Sequence, residues 1–451
     1  MIKSSMNLWD RFLFRDRGII PTKKLVILLG IWSVLLIILS FTEVSWIILI
    51  SSSIAVLFLS MTDLMFSPNK KSIAMKRIVP NEMERGMTYT VTIEMENDSN
   101  HPIRYRIVDG IPQSFQNPFP MNGEMNKGSF IHSYETSAPI RGNYAMNKLY
   151  FRYSSTLGLW EKQATFHQED QVKVIPDLTS TREYLESAQK YLLHEGMKIR
   201  KNKSGVGEFS KIRNYVVGDD PRKINWRQTA KLQEVMTNEY EPEHGKYITI
   251  LIDCGRMMGA ELKDSNRLER VLEAALTVAL AALQKGDYVS VIAFSKEVHV
   301  YVPPGKGMSH HQNILNAVYD IQVTPAESNY GAILNYLETV QKKRSLLLLF
   351  SDVRTFLHEE TALYYLKRLR QRHLFLVIGI EDETLLERTK EKPEDVLSTM
   401  IKSMAQQQQL IKKSEKARWE KEGLQMLEAR SEKLASTAVS YYIEIMNRGL
   451  L

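Results

Sequence analysis

The chain has a single cysteine, Cys254, in 451 residues. An internal disulfide framework and a multi-cysteine zinc site are therefore excluded, and Cys254 reads as a small buried residue. Phosphate cradles are missing as well. Gly305-Lys306-Gly307 and Gly205-Val206-Gly207 lack the Gly-x-x-x-x-Gly-Lys-Ser/Thr spacing and read as loops. No His-Glu-x-x-His occurs, and the pair His310-His311 has no third ligand at a useful spacing, so it reads as a surface pair. A dispersed excess of positive charge is also absent. The net charge is +7, but most of it gathers on two short stretches, Lys3, Arg11, Arg15, Arg17, Lys23 and Lys24 in 1–24, and Lys70, Lys71, Lys76, Arg77 and Arg85 in 67–90. The rest of the chain is nearly balanced, which argues against a phosphate-reading stripe and against nucleic acid as a partner.

Two apolar runs lie between those basic stretches, 25–42 and 44–62, separated by Glu43. Each is close to the ~20 residues that cross a hydrocarbon core as a helix, so 25–66 reads as a transmembrane helical hairpin with the lipid bilayer as its first partner. A signal peptide would show a cleavage site after a shorter core, and a buried soluble hairpin would show polar faces at helical spacing. Lysine and arginine flank both ends and avoid the connection. The basic N-terminus, 1–24, and the C-terminal body are thus expected in the cytoplasm, with the Glu43 turn outside: a two-span protein of the cell membrane.

Short alternating stretches follow in 71–176, among them 89–95, 104–108, 147–153 and 171–175. Pro and Gly clusters such as Asp109-Gly110-Ile111-Pro112 punctuate them. Period-two strands with frequent turns predict a β-rich, sandwich-like domain. Residues 177–245 form a connecting segment with a helix over 181–194 and the block Gly-Asp-Asp-Pro-Arg-Lys-Ile-Asn-Trp at 218–226. From 246 to 451 continuous apolar strands alternate with amphipathic helices, with strands at 247–253, 288–294, 298–302, 345–352, 374–380 and 424–428. That pattern predicts a doubly wound α/β sheet, with a polar helical insertion near 383–421.

The order of a strand ending in Asp253, helix, hairpin, two helices and a strand ending in Asp352 resembles the von Willebrand factor A fold. Glu208-Phe209, Arg213, Tyr215, Gly218-Asp219-Asp220-Pro221-Arg222 and Ile224-Asn225-Trp226 resemble, more specifically, the bacterial family catalogued as domain of unknown function 58. The two spans, the β-rich segment and Gly158-Leu159-Trp160 fit the same resemblance. It implies an adaptor for a MoxR-type AAA+ ATPase in complex assembly or envelope maintenance. It also implies a divalent-ion site at the strand ends, held by an Asp-x-Ser-x-Ser loop, a hydroxyl from a second loop and an Asp from a third.

Here that first loop reads Asp253-Cys254-Gly255-Arg256-Met257, so both serines are replaced. Asp253, Ser328 and Asp352 remain as hard oxygen donors for a weakly held Mg²⁺ or Mn²⁺. A competing expectation is that Arg256 sits between Asp253 and Asp352 and neutralises both. For Asp219-Asp220-Pro221-Arg222, three readings stand: a structural clamp in which Ile224 and Trp226 pack inward, a partner-binding loop, or a metal-dependent hydrolase or nuclease built on the 208–226 acids. Pro221 breaks a strand, which favours a turn whose acids cap free amides. With no catalytic constellation, the chain is expected to be a membrane-anchored scaffold rather than an enzyme. Its partner-binding or structural residues are then Arg256, Glu208, Arg213, Tyr215, Gly218, Asp219, Asp220, Arg222 and Trp226.

Overall fold

The structure, a computed structural model, describes residues 18–41, 44–116, 118–195, 208–241, 245–263, 265–357, 360–448 and 451. The expectations placed on the N-terminal cations before residue 18, on Glu43 and on the Gly205–Gly207 loop lie outside those residues, as does the side chain of Glu208. The chain divides into two compact units, one ending at Ile175 and the other beginning at Pro176.

In the first unit, strand β1 (Ile19–Pro21) leads into helices α1 (Lys23–Ser40) and α2 (Trp46–Phe66). Both helices are long and apolar enough to cross a membrane. Their apolar side chains point outward on every side, and only Leu25, Leu49, Ser60 and Asp63 are buried. A helix that is apolar all round has no polar face to offer water. Eight strands follow: β2 (Ile73–Ile78), β3 (Glu82–Glu84), β4 (Thr88–Asn97), β5 (Ile103–Asp109), β6 (Met121–Met125), β7 (Gly128–Ser137), β8 (Gly142–Ser154) and β9 (Trp160–Ile175). They make a sheet in the order β1-β9-β8-β5-β6, joined at β9 by β3, and a second sheet in the order β2-β4-β7. Val91, Ile93 and Met95 of one sheet and Ile107, Phe151 and Val172 of the other share a core. Alternating burial along β4 and β5 follows from the period-two pattern.

Two polar ties organise this unit. Asp63 near the end of α2 accepts from the backbone N–H of Leu159 (2.8 Å) and Trp160 (3.2 Å) and from the Ser155 hydroxyl. The Trp160 indole N–H donates to the carbonyl of Ser60 at 3.0 Å. The Gly158-Leu159-Trp160 loop is thereby fixed to the second apolar helix. Arg77 is fully buried and pairs with Asp109 and, through Nε at 2.8 Å, with Asp170. This corrects the reading of Arg77 as a cation beside a membrane: its guanidinium is sealed inside the sandwich, where a buried charge needs a partner.

The second unit opens with α3 (Thr179–Glu195). The hairpin β10 (Glu208–Asn214) and β11 (Met236–Glu241) follows, with the short helix α4 (Trp226–Leu232) between its strands. Next come β12 (Tyr247–Asp253), α5 (Arg267–Gln284), β13 (Tyr288–Phe294), β14 (Val298–Gly305), α6 (Met308–Val318), α7 (Tyr330–Val340), β15 (Ser345–Phe350), α8 (Val353–Leu357), α9 (Glu360–Arg370) and β16 (Leu374–Ile380). The chain closes with α10 (Glu383–Lys390), α11 (Val396–Lys421), β17 (Gln425–Ala429) and α12 (Leu434–Arg448). The main sheet runs β14-β13-β12-β15-β16-β17, parallel except for the antiparallel edge strand β14. Its central strands are buried almost end to end, as expected when helices cover both faces. Leu251, Leu347, Leu349 and Val377 pack with α7, α8 and α9. The polar stretch before the last strand forms the crossover from β16 to parallel β17, and Trp419 anchors it in that core against Phe356, ring centroids 5.0 Å apart.

Candidate functional site

Strand order reverses at β12, and the loops at the carboxyl ends of β12 and β15 open a crevice there, the usual ligand position in open α/β sheets. The cavity is about 270 Å³ and is lined by Asp253, Arg256, Met257, Glu327, Ser328, Tyr330, Arg354 and Thr355. Asp253 ends a strand whose β-branched run fills the sheet, so its carboxylate is held at the crevice floor, 1% exposed. Both of its oxygens are occupied. Oδ1 accepts from the N–H of Gly255 at 2.8 Å and from the Ser328 hydroxyl. Oδ2 accepts from the Tyr330 hydroxyl at 2.9 Å and from the Ser351 hydroxyl at 2.5 Å. Burial pushes Asp253 above the usual carboxylate range, and the hydroxyls and the Gly255 amide oppose that shift without cancelling it.

Asp352 sits apart in chemistry. Its Oδ1 accepts from Arg267 Nη1 at 2.7 Å and its Oδ2 from the N–H (3.1 Å) and hydroxyl (2.7 Å) of Thr355. Arg267, at the start of α5, also approaches Asp382. The expected bridge of Arg256 between Asp253 and Asp352 is therefore not formed. Arg256 is exposed and pairs across the crevice rim with exposed Glu327 at 2.9 Å, while the second acid is neutralised by Arg267. Of the two acids Arg267 neutralises Asp352 alone, and Asp253 is left to hydroxyl and amide donors.

The donor set does not fit a divalent ion. One of its two acids carries a guanidinium, the other is saturated by three hydroxyls and an amide, and the first loop has no side-chain oxygen after Asp253. Gly255 explains the arrangement. A Cβ there would lie 2.0 Å from the Ser328 hydroxyl oxygen, so only glycine lets Ser328 close on Asp253. Among the described residues no group of three or more His, Cys, Asp or Glu side chains is placed to hold a metal. The pair His310-His311 is not on the surface either. His310 bonds through Nε2 to the Val289 carbonyl at 2.8 Å, and His311 is buried on α6, where burial pushes its pKa down.

The 208–226 residues build a turn within the β10–β11 hairpin. Asp219 takes a two-pronged ion pair from Arg213, both contacts 2.8 Å, and also accepts from the Val216 N–H at 3.0 Å. Those contacts, Arg213 first, hold Asp219 below the usual carboxylate range. The Tyr215 hydroxyl donates to the Asp219 carbonyl at 3.1 Å. Gly218, at φ +107°, adopts a conformation that side chains disfavour. Asp220 caps the turn that Pro221 opens, accepting from the Arg222 N–H at 3.0 Å, and Asn225 caps α4. The two acids are thus engaged in shaping the turn. Trp226 does not pack inward: it is 70% exposed, as is much of Val216 and Val217. Its place at the first turn of a seven-residue helix on a two-stranded hairpin leaves it little to pack against.

Sequence reasoning missed Tyr330, Ser351, Arg267 and Asp63. Ser351 and Tyr330 lie within two residues of Asp352 and Ser328, so their neighbourhood was a usable signal. Asp63 stood out as an acid inside an apolar run, a position that is functional or paired by default.

Residues 211–420 match the family model described as "Protein of unknown function DUF58". The match covers just under half of the chain. The chain is also 23% identical over 261 residues to the protein named "Uncharacterized protein YeaD" of Bacillus subtilis (strain 168), a match spanning 55% of this chain and 62% of that protein, under two thirds of its length. Solved structures similar to parts of it include the conserved hypothetical protein BatB from Bacteroides thetaiotaomicron, at 16% identity and TM-score 0.31 over 45% of this chain and all of that one. A PapD-like domain of human CEP192 is similar at 14% identity and TM-score 0.18, over 24% of this chain and 89% of that domain. The matched segment takes in the turn between β10 and β11, the crevice and nearly all of α11.

Proposed function

We propose that this chain is a membrane-anchored interaction protein. Its two apolar helices hold it in the cell membrane with both ends cytoplasmic, and its DUF58 segment, of von Willebrand factor A type, engages a protein partner. The observations that carry this reading are two cavities that share Arg354 and an apolar row on α11. From the crevice rim at Arg256 and Glu327, Arg354 leads to a second cavity of about 290 Å³ lined by Gln408, Ile411 and Lys412 of α11. Farther along α11, Val396, Leu397, Met400 and Met404 expose their side chains at helical spacing. A row of large apolar groups on a helix that also lines a charged cavity is the composition of a protein interface, apolar groups with a polar edge. A MoxR-type AAA+ ATPase is the partner that the family resemblance favours.

The test is binding of purified full-length protein in mild detergent to the MoxR-type ATPase of the same cells. Wild type is expected to bind, and the Met400→Glu/Met404→Glu variant to bind at least about tenfold more weakly, as loss of central apolar contacts predicts. No binding by the wild type, or equal binding by the variant, overturns the assignment of partner and face respectively.

A further inference from the structure

We propose that the first unit carries a binding site for the phosphate of an anionic phospholipid, on the outer face of its larger sheet beside the start of α1. The proposal rests on the membrane reading given above and adds a ligand to it. A cavity of about 670 Å³ opens there, lined by Lys23, Lys24, Arg104, Arg106 and Arg152, with Glu124 and Glu161 as its acids. Glu124 is taken by Arg104 at 2.7 Å, which leaves four cations facing Glu161.

The strand register makes this cluster more than a chance of composition. Arg106 on β5 and Arg152 on β8 are direct cross-strand partners. Asn122 and Gln163 are their outer neighbours, on β6 and β9 respectively. Each arginine donates its Nε to one of those neutral amides, Arg106 to Asn122 at 3.2 Å and Arg152 to Gln163 at 3.1 Å. Two guanidiniums set opposite each other repel and weaken a sheet. An anion held between them removes that repulsion and takes the forked N–H groups left over, a geometry that suits phosphate oxygens.

Position selects the source of the phosphate. Lys23 and Lys24 are the first two residues of α1. Thr22 caps that helix and donates its hydroxyl to the Gly158 carbonyl at 2.7 Å, which ties the cavity wall to the helix start. If α1 spans the bilayer, the cavity mouth lies at headgroup depth and the outward apolar face of α1 receives the acyl chains. The surplus of positive charge favours an anionic over a zwitterionic headgroup.

The experiment places the full chain in nanodiscs of phosphatidylcholine with phosphatidylglycerol and counts retained lipids by native mass spectrometry. Wild type is expected to keep phosphatidylglycerol in preference to phosphatidylcholine. The Arg106→Gln/Arg152→Gln variant is expected to enter discs normally and lose that preference about tenfold. A charge-matched control, Lys413→Gln/Lys421→Gln on α11, is expected to keep it. Equal retention of the two lipids by the wild type, an unchanged arginine variant, or an equal loss in the control overturns the site. Displacement of the lipid by millimolar inorganic phosphate would make it a free-phosphate site and overturn the lipid assignment. If the wild type does not enter discs and stays monodisperse without detergent, the membrane reading fails first and separately.

Discussion

Each unit buries a carboxylate, and the two are stabilised in opposite ways. Asp109 in the sandwich meets a full guanidinium, Arg77, which also holds Asp170, and accepts from the Tyr134 hydroxyl at 2.6 Å. Asp253 in the α/β unit has no cation on it and relies on three hydroxyls and one amide. Burial raises both above the ordinary carboxylate range. The Arg77–Asp109 pair welds strands together with both side chains buried. The hydroxyl cage keeps a polar floor under an open crevice without placing a positive charge there, and Arg267 supplies the charge one residue cluster away, on Asp352. One buried acid is balanced by an ion pair, the other by neutral hydrogen-bond donors.

The largest expected effect breaks the sandwich side. Arg77→Met leaves Asp109 buried without its cation and should cost about 3–5 kcal/mol, read as a shifted denaturation midpoint in detergent. Replacing Asp109 as well, as in Arg77→Met/Asp109→Leu, should recover part of that loss, because no orphaned charge remains. On the crevice side, Gly255→Ser restores a loop serine but drives its Cβ into Ser328, for a loss of about 1–3 kcal/mol. If that variant proved as stable as the wild type, the account of Gly255 would be wrong. Tyr330→Phe removes one of four donors to Asp253 and should cost about 1–1.5 kcal/mol.

A pH series sharpens the comparison further. A carboxyl group raised by folding contributes stability below its ordinary value, about 4, and loses that contribution as pH climbs through its folded value. The stability of wild type relative to Asp253→Asn should therefore be most favourable near pH 4 and decline toward neutrality, measured by denaturant titration at each pH. A difference that grows with pH would mean that the cage favours the ionised form outright. Smallest of all is the response to divalent ions. Mg²⁺, Mn²⁺ or a chelator should leave the unfolding midpoint unmoved, since Arg267 already occupies Asp352; a clear Mg²⁺-dependent rise would restore the metal reading.

Much of the architecture was legible because it is written in local periodicity. Two unbroken apolar runs gave two apolar helices, and the alternation of 89–95 became a strand with alternating burial. The continuous run before Asp253 became a central parallel strand. The crevice was legible in its acids and in Ser328, and the turn at Asp219–Pro221 in its capping chemistry. Partners distant in sequence were not legible. Arg267 and Asp352 are 85 positions apart, and nothing in either neighbourhood points to the other. Arg256, three residues after Asp253 in the chain, is the nearer cation in sequence and faces Glu327 instead.

What the sequence determined by itself is whatever depends on neighbours along the chain: helix and strand period, caps, and the glycine that a positive φ demands at position 218. Tertiary structure alone decided which charges far apart in the chain meet. It buried Arg77 instead of leaving it among the basic flanks, exposed Trp226, and aligned Arg106 with Arg152 across two strands. Electrostatic pairing acts over a few ångströms of space, and only strand register and crossover connections bring remote positions within that reach.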